Sequence, residues 1–157
     1  MLLRELIDLS VGVELAAAAI YDHFATQFAA NTELSTFWRL SAEAERYHAA
    51  TIRIHAASAP ADREVDSEKL PLEVEEARKL LARLDALLTD LAIHPRSIAE
   101  SLELATALES EGAEIHGRTQ FAYLYPELAE LFTRLADEDR EHRKSFALAK
   151  AKFAEKA

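Results

Sequence analysis

The stretch Glu45-Arg46-Tyr47-His48 places a carboxylate three residues before an imidazole, and Asp139-Arg140-Glu141-His142 repeats the arrangement near the other end of the chain. On an α-helix that interval puts both groups on one face. A carboxylate and a neutral imidazole together suit a divalent transition metal. Outward from both stretches the residues recur at helical period: Leu34, Trp38, Ser41, Glu45, His48 and Ile52 in one, and Leu128, Phe132, Leu135, Asp139, His142, Phe146 and Phe153 in the other. The pairs therefore interrupt core-facing stripes, where an ionisable group is costly unless it is paired or bound to a metal.

Two further segments carry the same kind of interruption. One reads Ile7, Val11, Glu14, Ala18, Tyr21, Ala25, Phe28, and the other Leu104, Leu108, Glu111, Ile115, Arg118, Ala122. The four prolines, Pro60, Pro71, Pro95 and Pro126, all fall between periodic segments, where they mark boundaries. The pattern predicts helices over about 2–29, 32–57, 96–124 and 126–154. An amphipathic helix over about 72–92 carries the stripe Val74, Ala77, Leu80, Leu81, Leu84, Leu87, Leu88, Leu91.

Measured from the turn near Ala30 and Asn31, Glu14 and the pair Glu45/His48 lie at one depth, roughly 24 Å away at about 1.5 Å per residue. Glu111 and the pair Asp139/His142 are likewise level about the turn near Tyr125. The connection over 58–95 is far longer than an up-down hairpin needs, and a crossover that carries the helix over 72–92 back along the bundle accounts for it. A faint duplication accompanies this symmetry: Glu14-x6-Tyr21-x2-Phe24 aligns with Glu111-x6-Arg118-x2-Phe121, and Trp38…Glu45-x2-His48 with Phe132…Asp139-x2-His142.

Composition narrows the class. The chain has 157 residues, enough for one domain over 1–157, with three glycines, four prolines and abundant Ala, Leu and Glu, which favours an all-α fold. No apolar run approaches the ~20 residues that cross a bilayer, so no membrane is expected as a partner. The N-terminus reads as the start of a helix, not a signal peptide. With no cysteine, disulfides and cysteine-ligated zinc or iron–sulfur sites are excluded, and a cytoplasmic location is compatible. A formal net charge of −10 argues against nucleic acid as a partner. It favours the approach of cations and also serves plain solubility.

With one Glu, a Glu-x-x-His, a second Glu and a carboxylate-x-x-His in order on four long helices, the chain resembles the rubrerythrin-type members of the ferritin-like di-iron proteins. The resemblance implies a ferritin-like four-helix bundle with a long crossover carrying an additional helix. It implies two Fe ions as cofactors, with manganese and zinc as substitutes, held by Glu14, Glu45, His48, Glu111, Asp139 and His142. It also matches Glu114 to a second carboxylate that, in that family, exchanges with the histidine of the second helix as the redox state changes. The implied activity is oxidation of Fe(II) with reduction of hydrogen peroxide or O₂, served by an external electron donor in a homodimer or larger homo-oligomer. Two alternatives stand beside it: a ferritin-like iron-binding and storage subunit, and a non-catalytic helical bundle with a degenerate metal site. Three features depart from the family: Asp139 stands where Glu is usual, Arg118 brings a cation near the site, and there is no rubredoxin-type cysteine set.

Each residue also has a structural reading. Glu14, Glu45 and Glu111 also fit a buried salt bridge, for instance to Arg118, and His48 and His142 also fit hydrogen-bonded core histidines. Glu114 serves either as a ligand or as the partner of Arg118. Tyr21 is either a donor or redox-active phenol beside the metals, and so a catalytic candidate with Glu114, or an ordinary core tyrosine. Glu138 is the fallback ligand if the register of its helix slips. His55 is two turns from His48 and too distant, and His23, His94 and His116 read as surface or loop residues. Gly12, Gly112 and Gly117, each within two turns of a proposed ligand, are either sites of close helix approach or tolerated substitutions.

Overall fold

The computed structural model describes the backbone of residues 2–58, 70–118 and 126–154, and the side chains of all of these except 2, 58, 70, 114, 115, 117, 118, 126 and 127. Within them the chain is all-α: α1 (Leu2–Gln27), α2 (Thr32–Ser58), α3 (Leu70–Ile93), α4 (Ile98–Arg118) and α5 (Pro126–Phe153). The expected helices are present, with ends that follow local chemistry. Asn31 caps α2, its Oδ1 accepting from the Leu34 N–H at 3.1 Å. Ser97 and Glu100 form a reciprocal capping box at the start of α4, which sets that start two residues later than the proline alone indicates. Pro71 and Pro126 sit in the first turns of α3 and α5, where a missing N–H costs nothing. The expected extension of the fourth helix over 119–124 lies outside the described residues.

Contacts between helices fix their directions. Glu5 pairs with Arg78 and Gln27 with the Arg96 carbonyl, so α3 runs parallel to α1. Tyr21 meets Glu109 and Glu14 meets His116, so α4 runs antiparallel to α1. Lys150 pairs with Glu103, and Lys152 with Glu33, so α5 runs antiparallel to both α4 and α2. The chain thus climbs, descends, climbs again through α3, descends and climbs. The third helix carries it back along the bundle, so that α2 and α4 run the same way. Gly12 lets α3 approach α1 closely: a Cβ there would stand 2.9 Å from a Leu81 methyl.

The core divides into two apolar plugs. One holds Ile20, Phe24, Leu34, Trp38, Leu102 and Phe146, with Trp38 against Tyr21, Phe24, Phe37 and Phe146 at ring separations of 4.9–5.6 Å. The other holds Leu6, Val11, Ile52, Leu128, Phe132 and Leu135. Between them lies a layer of buried ionisable side chains. Among the described residues no helix is long and apolar enough to cross a membrane.

Candidate metal centre

Four helices contribute to the polar layer. Glu14 comes from α1, Glu45 and His48 from α2, Glu109 and His116 from α4, and Asp139 and His142 from α5; all but the partly exposed His142 are buried. Glu45 lies at the centre. One of its oxygens is 3.2 Å from His48 Nδ1, and the other is 3.2 Å from His142 Nδ1. The two imidazoles lie nearly parallel on either side of it, with centroids 5.5 Å apart and an interplanar angle of 15°. Glu14 completes one group with His48 Nδ1 at 3.3 Å, and Glu109 completes the other at 3.7 Å from His142 Nδ1. The result is two carboxylate–carboxylate–imidazole triads that share Glu45.

The donor atoms suit metal better than they suit one another. Glu45 Oε1 and His142 Nδ1 are buried with no hydrogen bond in good geometry, although they face each other. Buried groups without a partner cost roughly 1–3 kcal/mol each, more when charged, so a cation between them removes a penalty the bare site carries. Glu138 accepts a hydrogen bond from His48 Nε2 at 2.8 Å, which orients the ring with Nδ1 toward Glu14 and Glu45.

Electrostatics follow from this crowding. Burial alone would push the Glu14 carboxyl up, but the charge of His116 and hydrogen bonds from both neighbouring rings outweigh it and hold the group at about 2. For His48, burial favours the neutral ring, yet the bonds to Glu14 and Glu45 raise it to about 11. His142 is raised to about 10 by Glu109 and Glu45 against the same opposition from burial. Glu109 moves the other way: burial, helped by the charge of Glu45, lifts it to about 7 despite His142. Without metal, the histidines act as the cations of the site.

Several residues stand where the sequence does not put them. Glu111 is half-exposed and pairs with Arg83 of α3, outside the layer; Glu109, one face around α4, takes the inward position. His116, read as a surface residue, is buried between Glu14 (3.1 Å from Nε2) and Asp139 (2.9 Å from Nδ1), and these carboxylates raise it to about 10 against the effect of burial. Asp139 is buried in the layer as expected but turns toward His116, with its other oxygen 3.9 Å from His48 Nδ1. Gly112 makes room for it, since a Cβ there would lie 3.4 Å from Asp139 Oδ2. Tyr21 is buried and donates to Glu109 Oε1 at 2.7 Å; burial and the Glu109 charge raise its phenol well above the usual range, so it keeps its proton. The side chains of Glu114 and Arg118 lie outside the described residues, as do the surroundings of Gly117. His94 is exposed and paired with Asp90, while His23 and His55 are half-buried away from the layer. The carboxylates of α4 make a direct test: Glu111→Ala, which breaks an exposed ion pair, is expected to change stability by less than about 1 kcal/mol and metal uptake not at all. Glu109→Ala is expected to remove one metal equivalent from a titration.

Two openings serve the layer. A cavity of about 20 Å³, bordered by Glu14, Tyr21, Glu45, Glu109 and Asp139, has room for one water-sized molecule. A groove of about 610 Å³ between α2 and α5 reaches from solvent to His48, Glu138 and His142. Comparison with protein families, characterised proteins and solved structures finds no match for this chain.

Proposed function

We propose that this protein is a ferritin-like, non-haem di-iron protein that oxidises Fe(II) while reducing hydrogen peroxide or O₂. The observation that carries the reading is Glu45, shared between two buried carboxylate–imidazole triads whose histidines both present Nδ1 to it. Glu14 and His48 would hold one ion, Glu109 and His142 the other, and Glu45 both. The parallel course of α2 and α4, joined through α3, supports the ferritin-like topology. Two ferrous ions would supply the two electrons that reduce peroxide to two waters or begin the reduction of O₂.

The protein's own groups set the conditions for that chemistry. The cavity beside Glu45 and Tyr21 holds no more than one water-sized molecule, which leaves no room for an organic substrate at Glu45. Tyr21 O–H, donating to Glu109, holds that carboxylate in orientation and keeps a proton at the cavity wall. The groove between α2 and α5 offers cations a path in, past the half-exposed Glu138. One observation favours a second reading: His116 already ties Glu14 to Asp139, as in a degenerate site that closes its charged core with its own ion pairs.

The readings separate in one experiment. Anaerobic Fe(II) titration is expected to saturate at two ions per chain, and stopped-flow mixing of the loaded protein with peroxide or O₂ is expected to oxidise both. No uptake establishes the degenerate bundle. Uptake without oxidation, or of many ions per chain, replaces the peroxidase or oxidase reading with binding and storage.

A further inference from the structure

His116 is a buried ionisable residue that neither triad uses. It comes from α4, is 3% exposed, and meets a carboxylate at each ring nitrogen: Glu14 Oε1 lies 3.1 Å from Nε2, and Asp139 Oδ2 lies 2.9 Å from Nδ1. The ring packs against Phe132 of α5, with centroids 5.6 Å apart. An imidazole that faces carboxylates from both nitrogens donates twice and is positively charged. Turning the ring over about its Cβ–Cγ bond would put carbons where the nitrogens stand and lose both bonds, so this arrangement has one orientation. Each carboxylate is held by one oxygen. Glu14 gives Oε1 to His116 and turns Oε2 toward His48 Nδ1 at 3.3 Å. Asp139 gives Oδ2, and Gly112 leaves room for that oxygen beside α4. Its Oδ1 stops 3.9 Å from His48 Nδ1, which Glu45 and Glu14 approach to 3.2 and 3.3 Å. The donor atoms of Glu14, Glu45 and His48 all lie within 4.8 Å of one another, and Asp139 does not join them. Ligands bonded to one ion at about 2.0–2.2 Å are at most about 4.4 Å apart, so Asp139 stands just short of a place on that ion.

We propose that His116 is a positioning residue of the metal centre: it keeps Asp139 off the ion of Glu14, Glu45 and His48 and limits Glu14 to one oxygen, so that this ion has three protein ligands and an open position. The inference rests on the di-iron reading and adds to it the residue that keeps one site open. An ion whose positions are all filled by protein is structural, whereas one with three protein ligands can take a small molecule in the next position. The charge of His116 serves the same end. A buried carboxylate oxygen without a partner is costly, and His116 satisfies the two that face away from the ion, so neither has to turn inward to offset its burial. Groups that orient ligands in this way change metal affinity about 10–100-fold when they are replaced.

The two nitrogens can be tested apart. His116→Asn keeps an N–H near the Nδ1 position and with it the hold on Asp139. His116→Gln keeps one near the Nε2 position, which holds Glu14 and frees Asp139. Both remove the charge of the ring, so the difference between them reports the carboxylates alone. The comparison is made in chains that also carry Glu109→Ala, which leaves only the ion of Glu14, Glu45 and His48. In equilibrium titration with Co(II), followed by visible absorbance, His116→Gln is expected to bind the ion about tenfold more tightly than His116→Asn. Azide needs an open position on the ion. It is expected to alter the Co(II) spectrum with His116 or His116→Asn, and to bind at least about tenfold more weakly with His116→Gln. A His116→Gln chain that binds Co(II) no more tightly than His116→Asn, or that takes azide equally well, overturns the proposal and leaves the di-iron reading standing. A wild-type chain that takes no Co(II) overturns both. Circular dichroism checks the fold of each variant. Should the changes at His116 prevent folding, Asp139→Asn decides, since it keeps the shape of the side chain and still accepts from His116. That chain is expected to take two Co(II) ions, and loss of one makes Asp139 a ligand and overturns the proposal.

Discussion

Glu45→Ala is expected to abolish binding of both metal ions, whereas Glu109→Ala costs only one. The asymmetry follows from geometry, since the two oxygens of Glu45 each lie 3.2 Å from a different histidine and, among the described residues, no other carboxylate serves both triads. Loss of groups that merely orient a ligand lowers metal affinity about 10–100-fold, so loss of a shared ligand is expected to exceed that range for each ion. The change also strips both imidazoles of a buried partner. Removing one member of a buried ion pair costs about 3–5 kcal/mol, and a lower melting temperature in the metal-free variant is expected. Glu45→Gln keeps the shape and the packing, and separates loss of charge from loss of volume. Equilibrium titration with Co(II) or anaerobic Fe(II), monitored by absorbance with circular dichroism as a folding control, measures both effects. Two ions still bound tightly to folded Glu45→Gln and Glu45→Ala would place the binding on surface carboxylates and sink the shared-ligand model.

How much of this was legible beforehand differs from helix to helix. On α1 and α2 the sequence puts Glu14, Glu45 and His48 on the core-facing side, where all three are buried, because each helix has one dominant apolar stripe and the ionisable group interrupts it. The stripe of α5 likewise places Asp139 and His142. The fourth helix defeats the same argument. Its large residues Leu104 and Leu108 draw the stripe through Glu111, yet they are only partly buried, and Leu108 faces Leu80 and Leu84 of α3. The face toward the polar layer is the quieter one: Leu102, Ala105, Glu109, Gly112 and His116. Small residues are needed there because Asp139 and the facing imidazoles fill the space. A helix packed on two sides has two stripes, and hydrophobicity alone selects the bulkier. The missed signal is Glu109-x6-His116, two ionisable groups about two turns apart on one face. The role of Glu138 was invisible for another reason: its contact with His48 depends on how α2 and α5 are spaced, which no single-helix pattern contains.

Metal binding is expected to release about two protons per chain at pH 7, and its affinity to rise about tenfold per pH unit for each ion between pH 6 and 8. In the metal-free protein His48 and His142 are raised to about 11 and 10, so each carries a proton that must leave Nδ1 before an ion can take its place; Glu109, at about 7, adds a fraction of a third. The same shifts set an opposite trend for the metal-free fold. A histidine raised above its unfolded value near 6.5 contributes stability that is fully present below that pH and is lost as pH climbs through its folded value, about 10 for His142 and His116 and about 11 for His48. Glu14, depressed to about 2, contributes stability that is present above 4.5 and is lost as pH falls through about 2. Glu109 is raised, so its burial weakens the fold increasingly between 4.5 and 7. Metal-free stability should therefore peak at about pH 4.5–6.5 and decline above it, while in the metal-loaded protein proton release from His48 and His142 removes their share of that decline and leaves only that of His116, so the gap between the two melting temperatures widens with pH. Isothermal titration in buffers of different ionisation enthalpy counts the protons, and thermal melts with and without Co(II) from pH 5 to 9 follow the gap. Binding that released no protons, or melting curves that kept a constant separation, would mean that the ions enter without displacing protons from His48 and His142, and that the ligands lie elsewhere.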